Sequence, residues 1–114
     1  MNILEHEYLV PVVLGNDPEA IRIAKKIYQK TKIRVHVFAE EFRISQRLLF
    51  SCHKVSPMRN ALLADSLLSF ARSLEEYYCP VLVVGENDLC EVIERYSEEI
   101  ESAFLVFPYE VLSK

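Results

Sequence analysis

Short apolar runs alternate along the chain with longer stretches in which apolar residues recur every three or four positions. The runs predict five strands, over Leu9–Leu14, Ile33–Phe38, Ser51–Val55, Val81–Val84 and Ala103–Phe107. The longer stretches predict helices over Pro18–Thr31 and Met58–Tyr78, a helical turn within Arg43–Phe50, and a helix containing Leu89, Val92, Ile93 and Tyr96. Strands that alternate with helices are joined by right-handed crossovers and therefore run parallel. We expect an α/β fold with three layers: a mostly parallel sheet of about five strands, with helices on both faces.

Several residues mark the ends of these elements. Asp17 can cap the helix that follows the first strand, and Pro18 suits the first helical position because it needs no N–H partner there. Pro80 introduces the strand that begins at Val81, and Pro108 is expected to end the last strand.

The length and composition fit one globular domain over residues 1–114. The chain is 51% hydrophobic and 26% charged and has only two glycines, which argues against disorder. Its net charge is −4, from 13 basic and 17 acidic residues. Because nucleic acids and anionic membranes bind to basic surfaces, neither is expected as a partner.

The cysteines and the N-terminal residues indicate the compartment. Cys52, Cys79 and Cys90 are odd in number and have no C-x-x-C spacing, so neither a disulfide framework nor a zinc site is predicted. The first ten residues lack the basic and apolar regions of a signal peptide, and no apolar run is long enough to span a bilayer. We therefore expect a cytoplasmic protein.

Two of the strands end in similar glycine turns. Residues 12–17 are VVLGND and residues 82–88 are LVVGEND, and each segment runs into a predicted helix. In an open parallel sheet, ligands bind where strands lead into helices, so both turns are expected at one edge of the sheet. The candidate substrate-binding residues are Gly15, Asn16, Asp17, Gly85, Glu86, Asn87 and Asp88. A simpler interpretation remains open, in which Asp17 and Asn87 are ordinary helix caps and the glycines only allow tight turns.

Two other kinds of site are excluded by their motifs. A dinucleotide site needs three glycines, whereas Gly15 is followed by Asn16, Asp17, Pro18 and Glu19, whose acids would repel phosphate. A phosphoacceptor domain of the response-regulator kind needs a lysine before the proline after the last strand. Here Phe107 precedes Pro108.

The histidines and the basic residues in the middle of the chain give weaker signals. Adjacent residues on a strand point to opposite faces, so Cys52 and His53 cannot share a ligand, and we expect a buried cysteine and a surface histidine. His36 is placed on the more polar side of its strand, without an evident partner. Local positive charge from Arg43, Arg47, Lys54 and Arg59 is interpreted as a solvated surface.

The order of these segments resembles a known family. The segments are VVLGNDPEAIRIAKKIY, IRVHVF, SCHKV, VLVVGENDLCEVIERY and AFLVFPY, which together cover nearly the whole chain. They are similar to the N-terminal, Rossmann-like domain of ATP-grasp ligases, in the carboxylate–amine ligase branch that includes D-aspartate ligase and enzymes related to carbamoyl-phosphate synthetase. The resemblance implies that the chain is the N-terminal part of a longer ligase.

In that family this domain helps to form the cleft for the acceptor substrate, while later domains hold ATP and Mg²⁺. The resemblance therefore implies no catalytic residue, metal or cofactor in this chain. It implies as partners a small carboxylate or amine and the downstream ATP-grasp domains, and it places substrate contacts on the two glycine turns. An alternative is a free-standing α/β module that binds a small molecule or another protein.

Overall fold

The structure is a computed structural model that describes residues 9–15, 17–55, 60–75, 78–84 and 90–108. The strands are β1 (Leu9–Leu14), β2 (His36–Ala39), β3 (Ser51–Lys54), β4 (Cys79–Val84) and β5 (Leu105–Pro108). The helices are α1 (Pro18–Thr31), α2 (Ile44–Leu49), α3 (Asn60–Ser73), α4 (Cys90–Arg95) and α5 (Ser97–Ala103). All five strands form one parallel sheet in the order β3-β2-β1-β4-β5. The predicted α/β class is confirmed, and the sheet is consistent with a Rossmann-like sandwich.

The best-predicted elements are those with the strongest patterns. β1 has the predicted bounds and all six of its residues are buried, as expected of a central strand with helices packed nearby. α1 also has the predicted bounds, with Pro18 at its start. Its buried residues recur at helical spacing and are Ala20, Ile23, Ala24 and Ile27.

Other boundaries differ from the prediction. β2 begins at His36 and not at Ile33, because the ladders to both neighbouring strands start at His36. Pro80 lies within β4, opposite Val10. The last predicted helix is two helices, since Tyr96 has a non-helical backbone between α4 and α5. The last strand starts at Leu105 and includes Pro108.

Buried side chains form two separate hydrophobic clusters. Neighbouring residues of β1 alternate between them, because successive side chains of a strand point to opposite faces. The first cluster contains Val13 and the buried residues of α1. The second contains Val12 with Leu67 of α3 and Ile100 of α5. This distribution of buried side chains is the one that a three-layer arrangement requires.

The order of the strands places β1 at the centre of the sheet. β2 and β3 lie on one side of β1, whereas β4 and β5 lie on the other side. The chain runs outward from β1 through β2 to β3 and then crosses back to β4 on the other side of β1, so the strand order reverses between β1 and β4 and a crevice is expected at their carboxyl ends. No helix within the described ranges combines the length and the apolar character needed to cross a bilayer.

Candidate functional site

The carboxyl ends of β1 and β4, the two strands that lead into the predicted glycine turns, lie side by side. The strands are parallel neighbours, with Val13 opposite Val83, so that Leu14 and Val84 end at the same edge of the sheet. Gly15 follows Leu14 with a φ of 93°, a conformation that glycine adopts without steric cost. Its N–H donates to the carbonyl oxygen of Phe38 at 2.7 Å, which fixes the start of the turn to β2.

Asp17 stands at the N-cap position of α1, but its side chain makes no capping hydrogen bond. Its backbone carbonyl accepts a hydrogen bond from the N–H of Ile21 at 3.0 Å. An aspartate in this position usually bonds to the first N–H groups of the helix. The half-buried carboxylate of Asp17 is not engaged in that way, so an ordinary cap does not explain it.

The remaining predicted site residues lie outside the described part of the chain. These are Asn16, Gly85, Glu86, Asn87 and Asp88. Of the seven predicted residues, the structure therefore places Gly15 and Asp17, and both lie at the expected edge of the sheet.

A second feature, not predicted from the sequence, is a groove of about 990 Å³ between α1 and α2. We call it the α1–α2 groove; it is lined by Pro18, Ile21, Arg22, Lys25, Lys26 and Gln29 of α1 and by Arg43, Ser45, Gln46 and Leu49 at α2. Four of these side chains are cationic, and none of the described lining residues is acidic. Arg43 was expected to be part of a solvated surface, but the groove brings it together with three cations of α1. The sequence does contain a signal for those three cations, because residues 22, 25 and 26 lie on one side of a helix.

The groove's second wall, α2, is held at its carboxyl end. None of its six residues is buried, whereas Phe50, directly after it, is 2% exposed. Arg34 donates to the carbonyl oxygens of Arg47 at 3.4 Å and of Phe50 at 3.1 Å, and so satisfies groups at the end of the helix. The thiol of Cys52 lies 3.6 Å from the carbonyl oxygen of Gln46, and burial raises its pKa. α2 is therefore a wall anchored at its carboxyl end, with its own side chains exposed.

Two histidines meet on the other face of the sheet. His36 Nδ1 and His53 Nε2 are 2.9 Å apart, so one nitrogen donates and the other accepts. The ring of His53 stacks on Phe38 at 4.4 Å between centroids, and Phe70 packs against both histidines. His36 therefore has a partner that the sequence did not reveal, while Cys52 and His53, expected to be buried and at the surface respectively, are both half-buried. His36 and His53 are far apart in sequence, and only the pairing of β2 with β3 brings them together.

The surroundings of the pair keep both imidazoles neutral. Burial, then His53 and then Arg34 lower the pKa of His36 to about 4, and burial lowers the pKa of His53. His53 also borders a shallow groove of about 540 Å³, whose other wall includes Asp65 and Phe70 of α3. Among the described residues, no three histidine, cysteine or acidic side chains lie close enough together to hold a metal ion. One ring nitrogen of each histidine is already paired with the other histidine.

Comparison with protein-family models, with curated proteins and with solved structures finds no match for this chain.

Proposed function

We propose that this chain binds a small carboxylate or amine in the crevice at the carboxyl ends of β1 and β4. The observation that carries the proposal is the parallel pairing of these two strands at the point where the sheet order reverses. Ligands of open α/β sheets bind outside the carboxyl ends of the strands at such a point. The predicted contacts are Gly15, Asn16, Asp17 and residues 85–88.

Asp17 is the residue assigned to recognise an amine. Its carboxylate is half-buried and makes no bond to the helix that it precedes. A charge-assisted hydrogen bond to an ammonium group is stronger than a bond between neutral partners. The backbone of Asp17 is held at the start of α1, because its carbonyl oxygen accepts the N–H of Ile21. An amino group in the crevice would therefore meet a carboxylate that is carried by a helix start.

The same edge is unsuited to a nucleotide phosphate. Pro18 offers no N–H at the start of α1, and Asp17 and Glu19 place negative charge where a phosphate would bind. This supports a substrate-side role, in which ATP and Mg²⁺ are held by other domains. The resemblance to ATP-grasp carboxylate–amine ligases then suggests the reaction, in which a carboxylate is activated as an acyl phosphate and attacked by an amine.

In this proposal the chain is the N-terminal domain of such a ligase, acts in the cytoplasm, and supplies binding contacts but no catalytic group. The second candidate is a free-standing binding or interaction module. The exposed apolar side chains of α2 favour it, because a helix without a buried face is typical of a protein contact. An ATP-grasp sequence after Lys114 in the natural reading frame would support the first candidate, and a stop codon there would support the second.

The proposed site is tested by calorimetric titration of the chain with a panel of small carboxylates, amines and amino acids. We expect one member that carries an amino group to bind, and Asp17→Asn to weaken its binding about tenfold or more through loss of the charged acceptor. Asp65→Asn removes a carboxylate from the opposite face and serves as the control. Equal binding by wild-type protein and Asp17→Asn would show that Asp17 does not contact the ligand. ATP hydrolysis by the 114-residue chain would contradict the substrate-side role.

A further inference from the structure

The α1–α2 groove concentrates positive charge on an acidic protein. Arg22, Lys25, Lys26 and Arg43 line it, while the whole chain has a net charge of −4. No acidic side chain is among the described residues that line the groove with them. A cleft lined by charges of one sign raises the local concentration of oppositely charged partners. The groove therefore favours an anionic occupant.

Exposed aliphatic side chains lie on α2, the helix that forms the second wall of the groove. Ile44 is 80% exposed and Leu48 is 75% exposed, and they lie one helical turn apart on α2. Leu49, which is 48% exposed, lines the groove itself. We call these three residues the aliphatic patch of α2, a helix with no buried residue; exposed apolar side chains of this kind are typical of protein interfaces. An occupant that covers both the cations and this patch must be amphipathic.

The dimensions and composition of the groove distinguish between possible occupants. Its α1 wall extends from Pro18 to Gln29, or about 16 Å at 1.5 Å per residue, which is longer than a single phosphate or carboxylate. A small polyanion would also leave Ile44 and Leu48 uncovered. A nucleic acid strand would need aromatic stacking surfaces, and no described lining residue is aromatic.

A second copy of the chain is disfavoured by charge. In a two-fold symmetric dimer the same surface meets itself, so the cations of one groove would face those of the other. That arrangement brings like charges together and costs free energy. The charge of the groove instead complements an acidic partner.

We propose that the α1–α2 groove is a docking site for an acidic, amphipathic segment of a protein partner. The segment lies along α1 as a helix of about eleven residues and places carboxylates on Arg22 and Lys26. Its apolar side covers the aliphatic patch of α2. The carboxylates contribute mainly to association rate and selectivity, and the apolar contact contributes mainly to affinity. The site is separate from the crevice at β1 and β4, and it does not depend on the ligand proposed there.

The test is a fluorescence polarisation titration of the full chain with two labelled peptides. In one peptide, leucines at helical spacing alternate with glutamates; in the other, lysines replace the glutamates. We expect the glutamate peptide to bind and the lysine peptide not to bind, with affinity falling as salt is raised. Arg22→Glu with Lys26→Glu is expected to weaken binding about tenfold or more, because two attractive pairs become repulsive.

Matched variants distinguish a loss of binding at the groove from an effect of net charge and from an effect on folding. Arg72→Glu with Arg95→Glu makes the same charge change on α3 and α4, and is expected to leave binding within about threefold of the wild type. Ile44→Ser with Leu48→Ser removes the aliphatic patch and is expected to weaken binding about tenfold. Three of the four side chains of α1 and α2 in these variants are exposed and Lys26 is half-buried, with its long side chain lining the groove, so thermal melts are expected to stay close to the wild type. Asp17→Asn is expected to leave peptide binding unchanged.

Several outcomes would overturn the proposal. One is absence of binding by the glutamate peptide at millimolar chain concentration, and another is equal weakening by the groove and control double variants. Displacement of the peptide by tripolyphosphate, with no effect of Ile44→Ser and Leu48→Ser, would identify a site for small anions. Tighter binding of single-stranded DNA than of the peptide would identify a nucleic acid site. A dimer that dissociates in the groove variant would identify a second copy as the occupant.

Discussion

The α1–α2 groove and the shallow groove beside β3 differ in how many of their polar side chains already have partners. In the shallow groove beside β3, His36 and His53 bond to each other and pack against Phe38 and Phe70. In the α1–α2 groove, on the other face of the sheet, the cations have no acidic side chain among the described lining residues.

The difference shows which groove is available to a ligand. A histidine pair is a familiar sign of metal or acid–base chemistry, yet here one nitrogen of each ring is paired with the other ring and burial lowers the pKa of both histidines, which favours their neutral forms. Exposed lysines and arginines are usually only a solvated surface, yet here they line a concave surface next to uncovered aliphatic residues. The histidine cluster is therefore structural, and the cationic groove is the one suited to binding.

The largest expected effect is a difference in the free energy of unfolding between a variant of the histidine cluster and a variant of α2. Phe38 is 3% exposed and stacks on His53, so Phe38→Ala is expected to lower the free energy of unfolding by about 3–5 kcal/mol. Leu48 is 75% exposed, so Leu48→Ala is expected to change it by no more than about 0.5 kcal/mol. Urea denaturation followed by circular dichroism measures both values. Similar losses in the two variants would remove the distinction between a packed cluster and an open wall.

The histidine cluster is expected to make stability depend on pH. The unfolded chain binds a proton on each histidine near pH 6.5, whereas the folded chain does so on His36 only near pH 4. Because the folded pKa is lowered, acidification from about pH 6.5 to about pH 4 favours the unfolded state, and the loss stops once His36 is protonated in both states. His36→Gln is expected to flatten this part of the curve. Carboxylates titrate in both proteins, so the difference between them isolates the histidine.

These two predictions depend on contacts that the sequence did not reveal. β1 and α1 could be predicted to the residue because one is an unbroken apolar run and the other has a regular helical pattern with Pro18 at its start. The turn at Gly15 could be predicted because glycine is the residue that most easily adopts the positive φ found there. The histidine pair could not, because His36 and His53 come together only through the register of β2 and β3.

The α1–α2 groove was missed for a similar reason. The spacing of Arg22, Lys25 and Lys26 shows that they share one side of α1, but it does not show what lies opposite. Arg43 was recognised as part of a basic segment and assigned to solvent. Only the packing of the two helices makes these separate positions one concave surface. Local patterns therefore predicted the elements and one sheet edge, while tertiary contacts determine the grooves.

A smaller effect is expected where α2 joins β3. Arg34→Ala removes two hydrogen bonds to backbone carbonyls and is expected to cost about 1 kcal/mol locally. The open form of this junction becomes about fivefold more populated, so the thiol of Cys52 reacts faster with iodoacetamide by a similar factor. Arg43→Ala is the control, since it removes a cation from the groove and leaves these two bonds intact. An unchanged rate for Arg34→Ala would show that α2 is held by other contacts.

The smallest expected effect concerns Asp17. Replacing an aspartate that caps a helix usually costs about 1 kcal/mol, but Asp17 makes no capping bond. Asp17→Ala is therefore expected to change the free energy of unfolding by no more than about 0.5 kcal/mol, mainly through loss of charge near the start of α1. A loss of about 1 kcal/mol or more in thermal denaturation would restore the interpretation of this residue as an ordinary cap.

The central claim, that the edge of the sheet at β1 and β4 binds a small polar ligand, is tested most directly by mapping the ligand on the chain. The measurement is a series of ¹⁵N–¹H correlation spectra recorded while the member of the carboxylate and amine panel that binds in calorimetry is added. We predict saturable shifts at the amides of Gly15 and Asp17, with none around His53. Shifts confined to residues away from this edge, or no saturable shift with any compound of the panel, would contradict the claim.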